Sequence, residues 1–360
     1  MGDSNEQNIE PRHGMPDVKL SREEFRARYF QQFVDPAFDA VRAQLQAIEM
    51  VAWDAYAHGR KAPLTRKAGP EFRDPTYDLA VDWLEAREAV LDAKRRHDDV
   101  AARPRLLLVN ASPRSEHTCP GEMSKSWRLI EIARAAIAER LVCDIDVLDL
   151  SRITSEYGRS IYPCKACFST AAPLCHWPCS CYPNHSLGQT HDWMNEIYPM
   201  WVAAHGVMII TPVHWYQASS PLKLMIDRLV CADGGNPDPT LTQGKDAKLA
   251  KQIELKGWDY PRQLERRHFA VVVHGDVEGA ENVRRALSDW MCFMQMVPAG
   301  NKAELDRYIG YWKPYATSHT ELDNDTAVQG EVANAARTLA DAVASGRQDP
   351  GAGLNDPRQK

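Results

Sequence analysis

The feature that most constrains the fold is an alternation of apolar runs with amphipathic stretches from residue 104 onward. The apolar runs are RLLLVN, CDIDVLDL, GVMIITPV and HFAVVVHG, followed by the shorter MVPAG at 296–300. Stretches with helical periodicity separate or follow these runs, near 124–140, 190–204, 220–231, 279–295 and 326–345. Buried strands alternating with helices favour a parallel sheet covered on both faces. The pattern predicts an α/β domain over residues 104–345 with a doubly wound, five-stranded parallel sheet.

The chain before residue 104 has a different pattern. Residues 1–20 are polar and contain two prolines, which predicts a mobile leader. Residues 21–103 predict an all-helical extension, whose first helix has a capping box at Ser21 and Glu24 and whose third begins at Asp74. This extension could cover a partner subunit, pack on the main domain or bind another molecule. Residues 346–360 predict a flexible tail.

Charge and hydropathy exclude some functions. The chain carries 43 Lys and Arg against 49 Asp and Glu, a formal net charge of −6, which argues against nucleic acid as a partner. No apolar run approaches the roughly 20 residues of a membrane-spanning helix, and the first residues lack a signal-peptide block. The sequence therefore predicts a cytoplasmic protein with no membrane partner.

The loop after the first strand has the composition of an anion site. Its candidate ligands are Ser112, Arg114, Thr118, Ser124, Lys125 and Ser126. A loop that leads into a helix N-terminus points free N–H groups and the positive end of the helix dipole at one spot. The chain lacks the dinucleotide fingerprint and the P-loop, so a mononucleotide phosphate fits best. The alternative is a turn with an ordinary helix cap.

Two further loops follow the third and fourth strands. The loop after the third strand contains Pro212, Val213, His214, Trp215 and Tyr216, with three consecutive rings that could wall a planar heterocycle or form a surface contact. The loop after the fourth strand contains His274, Gly275 and Asp276. Gly275 permits close backbone approach, whereas Asp276 favours helix capping and His274 is either structural or catalytic. In a doubly wound sheet these loops share the carboxyl edge, where ligands bind.

These motifs, in this order, resemble the NAD(P)H-dependent FMN reductases of the flavodoxin-like fold, and most closely the branch that includes iron–sulfur flavoproteins. The motifs are S-P-R after the first strand, T-P-V plus an aromatic residue after the third, and K-x-x-I-D-R in the next helix. The resemblance covers about residues 104–345. The sequence departs from the family at Ala111, where the family usually has Gly, in a longer loop between Arg114 and the next helix, and at His214, where an aromatic Tyr is common.

The resemblance implies FMN as cofactor and NAD(P)H as co-substrate. It implies that Ser112, Arg114 and the 124–126 turn hold the phosphate, and that residues 212–216 and the 274–277 loop hold the isoalloxazine. The flavin carries most of the chemistry, so His214 and His274 are only candidate catalytic groups near the ring. The family also implies a homodimer or higher homo-oligomer.

Five of the nine cysteines lie between residues 164 and 181, in the loop after the second strand. Cys164, Cys167, Cys175 and Cys179 are the candidate ligands of an iron–sulfur cluster or of zinc, with His176 and His185 as possible substitutes in a zinc site. Only the first C-x2-C spacing matches the iron–sulfur flavoproteins. Metal-free redox thiols and a structural loop are the alternatives.

We expect an NAD(P)H-dependent flavin oxidoreductase that passes electrons to a small-molecule acceptor or to a redox partner protein. One alternative is an iron–sulfur flavoprotein for one-electron transfer. The other is a non-enzymatic flavodoxin-like module with a zinc-bound cysteine loop.

Overall fold

The protein is described by a computed structural model over residues 9–348. Residues 1–8 and 349–360, which include part of the predicted leader and most of the predicted tail, lie outside the described residues. The helices are α1 Arg22–Phe30, α2 Arg42–Ala57, α3 Val81–Asp98, α4 Lys125–Arg140, α5 Met194–Ala203, α6 Ser220–Arg228, α7 Ala247–Leu255, α8 Ala280–Phe293, α9 Ser318–Asn324 and α10 Thr326–Gln348. The strands are β1 Thr65–Lys67, β2 Asp78–Ala80, β3 Arg105–Asn110, β4 Asp144–Asp149, β5 Gly206–His214, β6 Gln217–Ala218, β7 His268–Gly275, β8 Val297–Pro298 and β9 Glu304–Tyr308.

The five principal strands form a parallel sheet in the order β4-β3-β5-β7-β9. Numbered within this sheet, the order is 2-1-3-4-5, which is that of the flavodoxin-like fold. The short β6 turns back antiparallel on β5, and β8 pairs with the start of β7. The predicted α/β class and flavodoxin-like sheet are therefore confirmed.

Both faces of the sheet are buried, which explains why its central strands are apolar throughout. In β3, Leu107 and Val109 enter one core with α3, α5, α6 and α8, whereas Leu106 and Leu108 enter a second core with α4 and α10. Alternate residues of a strand face opposite sides, so helices cover both layers. Within residues 9–348, none of the helices combines the length and apolar character needed to cross a bilayer.

A buried ion pair fixes the long loop between β4 and α5. Arg228, at the end of α6, donates to the two carboxylate oxygens of Asp192 at 3.0 and 2.5 Å, and both side chains are fully buried. Arg228 also donates to the carbonyl of Tyr162 at 3.0 Å. The pair joins a helix of the domain core to both ends of the loop that carries the cysteine cluster.

Three details of the fold differ from the sequence expectations. The fifth main strand is Glu304–Tyr308, and the apolar run at 296–300 supplies only the two-residue β8, because the edge strand is half-exposed and mostly polar. The extension is not all-helical, since β1 and β2 form an antiparallel pair. Asp74 caps a turn, accepting from the N–H of Thr76 at 2.9 Å, and α3 begins only at Val81.

The extension packs on the main domain through α3, where Val90 and Ala93 enter the core. Its side chains also contact the cysteine-rich loop. Trp83 Nε1 donates to the carbonyl of Pro178 at 2.9 Å, and Lys61 Nζ donates to the carbonyl of Ser180. By contrast, α1 buries no residue. Of the three roles considered for the extension, packing on the main domain is observed.

Candidate functional site

The carboxyl ends of β3, β5, β7 and β9 form one edge of the sheet. The strand register pairs Pro212 with His274, and Gly275 with Tyr308. Asn110, the last residue of β3, pairs with Ile210. The three loops selected from the sequence are therefore neighbours along this edge.

The loop after β3 is held by its own hydrogen bonds. Ser112 Oγ accepts from the N–H of Arg114 at 3.2 Å, and Thr118 Oγ1 accepts from the N–H of Ser115 at 3.1 Å. Arg114 donates to the carbonyl of Pro120 at 2.9 Å and pairs with the exposed Glu122 at 3.3 Å. The guanidinium is thus tethered above the loop by one of its terminal nitrogens.

A cavity of about 250 Å³ opens between this loop and the N-terminus of α4. Its polar lining includes Asn110, Arg114, Ser115, Ser124 and Asp149. Ser124 is the helix N-cap, accepting from a backbone N–H of the first turn at 3.1 Å. A guanidinium, two hydroxyls and a helix N-terminus are the donors that a phosphate monoester requires. Of the six predicted phosphate ligands, Arg114 and Ser124 line the cavity, whereas Ser112, Thr118, Lys125 and Ser126 do not.

Two predicted residues meet directly beneath the edge. Ser126 Oγ lies 2.7 Å from His274 Nε2, and both side chains are buried. Burial, together with the positive charge of Lys125, lowers the pKa of His274 to about 3. His274 is therefore neutral near pH 7 and joins α4 to the end of β7. Lys125 Nζ donates to the carbonyl of Ile309 at 3.1 Å, which ties the same helix to the segment after β9.

The second loop is a two-residue hairpin between β5 and β6. His214 pairs with Gln217, and the central residues Trp215 and Tyr216 have φ values of +48° and +64°. Bulky residues rarely occupy this left-handed region, where hairpins usually place Asn or Gly. His214 and Tyr216 are exposed, and Trp215 is 92% exposed. The strained turn presents aromatic surface to solvent, as strained turns at functional sites often do.

Two glycines bring the loop between β7 and α8 close to this hairpin. Gly279 has a φ of +106°, and a Cβ there would lie 3.0 Å from Tyr216 Cα. A Cβ at Gly275 would lie 3.1 Å from Val213 Cβ. Val213 is buried in the core, so its side chain packs inward and only its backbone is available to a ligand.

A second group of aromatic residues begins at the last residue of β9, and the sequence interpretation missed it. Tyr308 and Trp312 stack with ring centroids 4.7 Å apart, and Trp312 is 89% exposed. Tyr315 is also exposed, and a hydrogen bond with Asp276 raises its pKa. Placing the fifth strand at 296–300 hid these rings. The sequence signal that could have revealed them is the close spacing of aromatic residues in YIGYWKPY, residues 308–315.

The cysteine cluster does not fit a metal centre. Within residues 9–348, no group of three or more His, Cys, Asp or Glu side chains is arranged to hold a metal ion. The predicted ligand set Cys164, Cys167, Cys175 and Cys179 is thus not supported by the structure. Instead, Cys167 Sγ lies 3.3 Å from Cys181 Sγ, and Lys245 Nζ donates to both sulfurs.

The thiols of the cysteine cluster differ in the direction of their pKa shifts. The hydrogen bond from Cys181 and the charge of Lys245 lower the pKa of Cys167 to about 6. Burial raises the pKa of Cys175, and the hydrogen bond with Cys181 followed by burial raises that of Cys179. The surroundings of Cys167 therefore favour its thiolate, and those of Cys175 and Cys179 favour the thiol.

The two histidines considered as substitute zinc ligands have other partners. His176 Nδ1 lies 2.6 Å from Ser180 Oγ and its Nε2 lies 3.1 Å from Thr242 Oγ1, so both ring nitrogens are used. His185 Nε2 lies 3.2 Å from the carboxylate of Asp82.

The strand order, and the cavity with phosphate-binding groups between the loop after β3 and the N-terminus of α4 (the phosphate-type cavity), define a flavodoxin-like nucleotide-binding domain. The chain belongs to the NADPH-dependent FMN reductase family, whose model matches residues 104–307, more than half of the chain. It is accordingly a flavin-dependent oxidoreductase.

Similar solved structures have low sequence identity. RosB with the bound intermediate 8-demethyl-8-formylriboflavin-5'-phosphate is 11% identical, with a TM-score of 0.45, covering 69% of this chain and 81% of that one. The NAD(P)H:quinone oxidoreductase from Methanothermobacter marburgensis is 15% identical, with a TM-score of 0.39 and coverages of 66% and 98%. An FMN-dependent NADH-azoreductase from Bacillus anthracis str. Ames Ancestor in complex with FMN is 17% identical, with a TM-score of 0.34 and coverages of 66% and 99%. The search of curated proteins gave no match.

Proposed function

We propose that this protein binds FMN at the carboxyl edge of its sheet, takes reducing equivalents from NAD(P)H and passes them to a small-molecule acceptor or a redox partner protein. The observation that carries the proposal is the contact between Ser126 and His274. It joins the helix whose N-terminus borders the phosphate-type cavity to the strand beside the aromatic hairpin. A phosphate site and a flat aromatic surface are thereby held at a fixed spacing.

The residues present fit FMN. Arg114, Ser115 and Ser124 would hold the phosphate, because they line the cavity at the start of α4. The exposed rings of Trp215 and Tyr216 and the backbone of the 274–276 loop would face the isoalloxazine. When bound, FMN supplies hydride acceptance and release of one or two electrons.

The protein's own groups have limited roles in this scheme. His274 is buried and neutral, so it positions the first turn of α4 and supplies no proton near pH 7. His214 is exposed on the hairpin, where it can contact a second substrate. A homodimer that shares the exposed rings at this edge is part of the proposal, since aromatic residues are enriched in protein interfaces. The cytoplasmic location stays a prediction.

An anaerobic absorbance spectrum tests the function. We expect purified protein, or protein mixed with FMN, to show the flavin bands, and these to bleach when NADPH or NADH is added. Measuring both nucleotides separately determines which one is used. Protein without affinity for FMN, or FMN-bound protein that neither nucleotide bleaches, would contradict the proposal. Stoichiometric iron and sulfide would favour the iron–sulfur flavoprotein instead.

Replacing one cation tests the phosphate site. Arg114→Ala should weaken FMN binding by about 1.5–3 kcal/mol, or about tenfold to 150-fold, because it removes a charged hydrogen-bond donor. Arg128→Ala is the matched control, since Arg128 lies on α4 and pairs with Asp323 on the protein surface. Equal FMN affinities for the two variants would remove Arg114 from the site.

A further inference from the structure

The thiol group formed by Cys167 and Cys181 lies outside the proposed flavin site. We propose that these two cysteines are a redox-active dithiol, which low-molecular-weight disulfides oxidise to an intramolecular Cys167–Cys181 disulfide. The proposal does not depend on FMN binding.

The geometry favours bond formation between these two sulfurs. Cys167 Sγ and Cys181 Sγ are 3.3 Å apart, although the residues are 14 positions apart in the chain. A disulfide brings two sulfurs to about 2.05 Å, a shortening that small side-chain rotations can supply. Cys167 is partly exposed, whereas Cys181 is buried. Cys167 is therefore the sulfur that an outside reagent reaches first, and Cys181 is the one that resolves it.

A lysine supplies the charge that such a thiol needs. Lys245 Nζ donates to Cys167 Sγ at 3.3 Å, to Cys181 Sγ at 3.2 Å and to the carbonyl of Leu174 at 3.3 Å. These contacts hold the ammonium beside both sulfurs, at nearly equal distances from them. A positive charge beside a thiol favours the thiolate, which is the nucleophilic form.

The surrounding insertion explains why Lys245 is held there. Lys245 comes just before Asp246, which caps α7 by accepting from the N–H of Leu249 at 2.8 Å. His176 bridges the cysteine loop to Thr242 on the same insertion. Residues 232–267, the insertion between α6 and β7, thus bring a cation to the dithiol.

Within residues 9–348, the hydrogen bonds of Lys245 to sulfur go to Cys167 and Cys181 and not to the other nearby cysteines. Cys231 donates to the carbonyl of Arg228 at 3.2 Å and is buried in the core. Cys179 accepts from the N–H of Cys181 at 3.5 Å and is also buried. Cys164 accepts from the N–H of Ala166 at 3.3 Å. Lys245 therefore singles out Cys167 and Cys181 from the cluster.

The reaction is balanced as a thiol–disulfide exchange. The thiolate of Cys167 attacks one sulfur of the reagent, breaks its S–S bond, releases one thiolate and forms a mixed disulfide. Cys181 then loses its proton to water or to the released thiolate and attacks Cys167 Sγ, which expels the second thiolate. Counted from the dithiol, with the first proton of Cys167 already released to solvent, the two cysteines lose two electrons and two protons, and the reagent gains the electrons and takes up two protons to form two thiols.

Oxidised glutathione is the probe for the test. Full-length protein is reduced, freed of reductant without air, and exposed to oxidised glutathione at pH 7, followed by mass spectrometry of chymotryptic peptides. We expect a Cys167–Cys181 crosslink in the parent protein and a stable glutathione adduct on Cys167 in Cys181→Ser. The adduct should form about tenfold faster than on the exposed Cys119, which serves as the internal reference.

Lysine variants test the role of the ammonium. Lys245→Met should lower the Cys167 rate about tenfold relative to Cys119, whereas Lys245→Arg should retain most of it. Cys143→Ser is the control for loss of an unrelated thiol. A crosslink between other cysteines, a Cys167 rate no higher than that of Cys119, or a rate unchanged in Lys245→Met would overturn the proposal. Stoichiometric zinc or iron lost on Cys167→Ser would also overturn it.

Discussion

The buried contact between His274 and Ser126 predicts how stability depends on pH. His274 has a pKa of about 3 in the folded protein against 6.5 for the free side chain. As pH falls below 6.5, His274 binds a proton in the unfolded chain but stays neutral in the folded protein. The stability that this group contributes at neutral pH is therefore lost progressively as pH falls to about 3. Between pH 7 and pH 5 this one group should lower the free energy of unfolding by about 2 kcal/mol.

His274→Gln isolates this contribution, because glutamine keeps a hydrogen-bonding group beside Ser126 but does not titrate. We expect the parent protein to lose about 2 kcal/mol more than His274→Gln between pH 7 and pH 5, in urea unfolding followed by circular dichroism at matched flavin content. His13→Gln, which changes an exposed histidine, should behave as the parent. Identical pH dependence in the parent and His274→Gln would refute the assignment of a buried, neutral imidazole.

Two further predictions concern the fold around the site. Asp192→Ala leaves Arg228 buried without its carboxylate partner and should lower the free energy of unfolding, measured in urea, by about 3–5 kcal/mol. The control is Asp227→Ala, which breaks an exposed ion pair and should lower it by less than about 1 kcal/mol. Gly279→Ala and Gly257→Ala place alanine at nearly the same φ, +106° and +111°, but only Gly279 has the hairpin within 4 Å. Gly279→Ala should therefore lower the free energy of unfolding by about 1 kcal/mol more than Gly257→Ala does. It should also weaken FMN binding, measured by fluorescence titration. Equal effects of the two variants on stability and on FMN binding would contradict the close approach.

Much of the sheet could be predicted because its central strands are buried on both faces. RLLLVN, GVMIITPV and HFAVVVHG became β3, β5 and β7 with little ambiguity, since only apolar residues fit between two helical layers. The edge strand β9 reads ELDRY, and its half-exposed residues carry no such signal. The apolar run before it was therefore mistaken for the strand.

The sequence predicted which loops form the site, but it did not predict which side chains contact each other there. The three loops are neighbours because the strands are parallel and their carboxyl ends share one edge, and the alternation of strands with helices predicts parallel strands. The contact of Ser126 with His274 spans 148 positions, and that of Lys245 with Cys167 spans 78. Such pairings depend on tertiary packing that residue types do not encode. For the same reason, cysteine spacing suggested a metal where the structure places an ammonium.

The contacts between the extension and the cysteine-rich loop determine where the protein can be divided. The family match begins at residue 104, which suggests a cut there for expressing a minimal domain. Such a cut removes Trp83 and Lys61, the donors to the carbonyls of Pro178 and Ser180, and strips α3 from the core. The shortened domain would expose apolar surface beside its thiols and become prone to aggregation and oxidation. We therefore expect the reductase domain and its extension to fold as one unit, which should be expressed, purified and mutated as a whole.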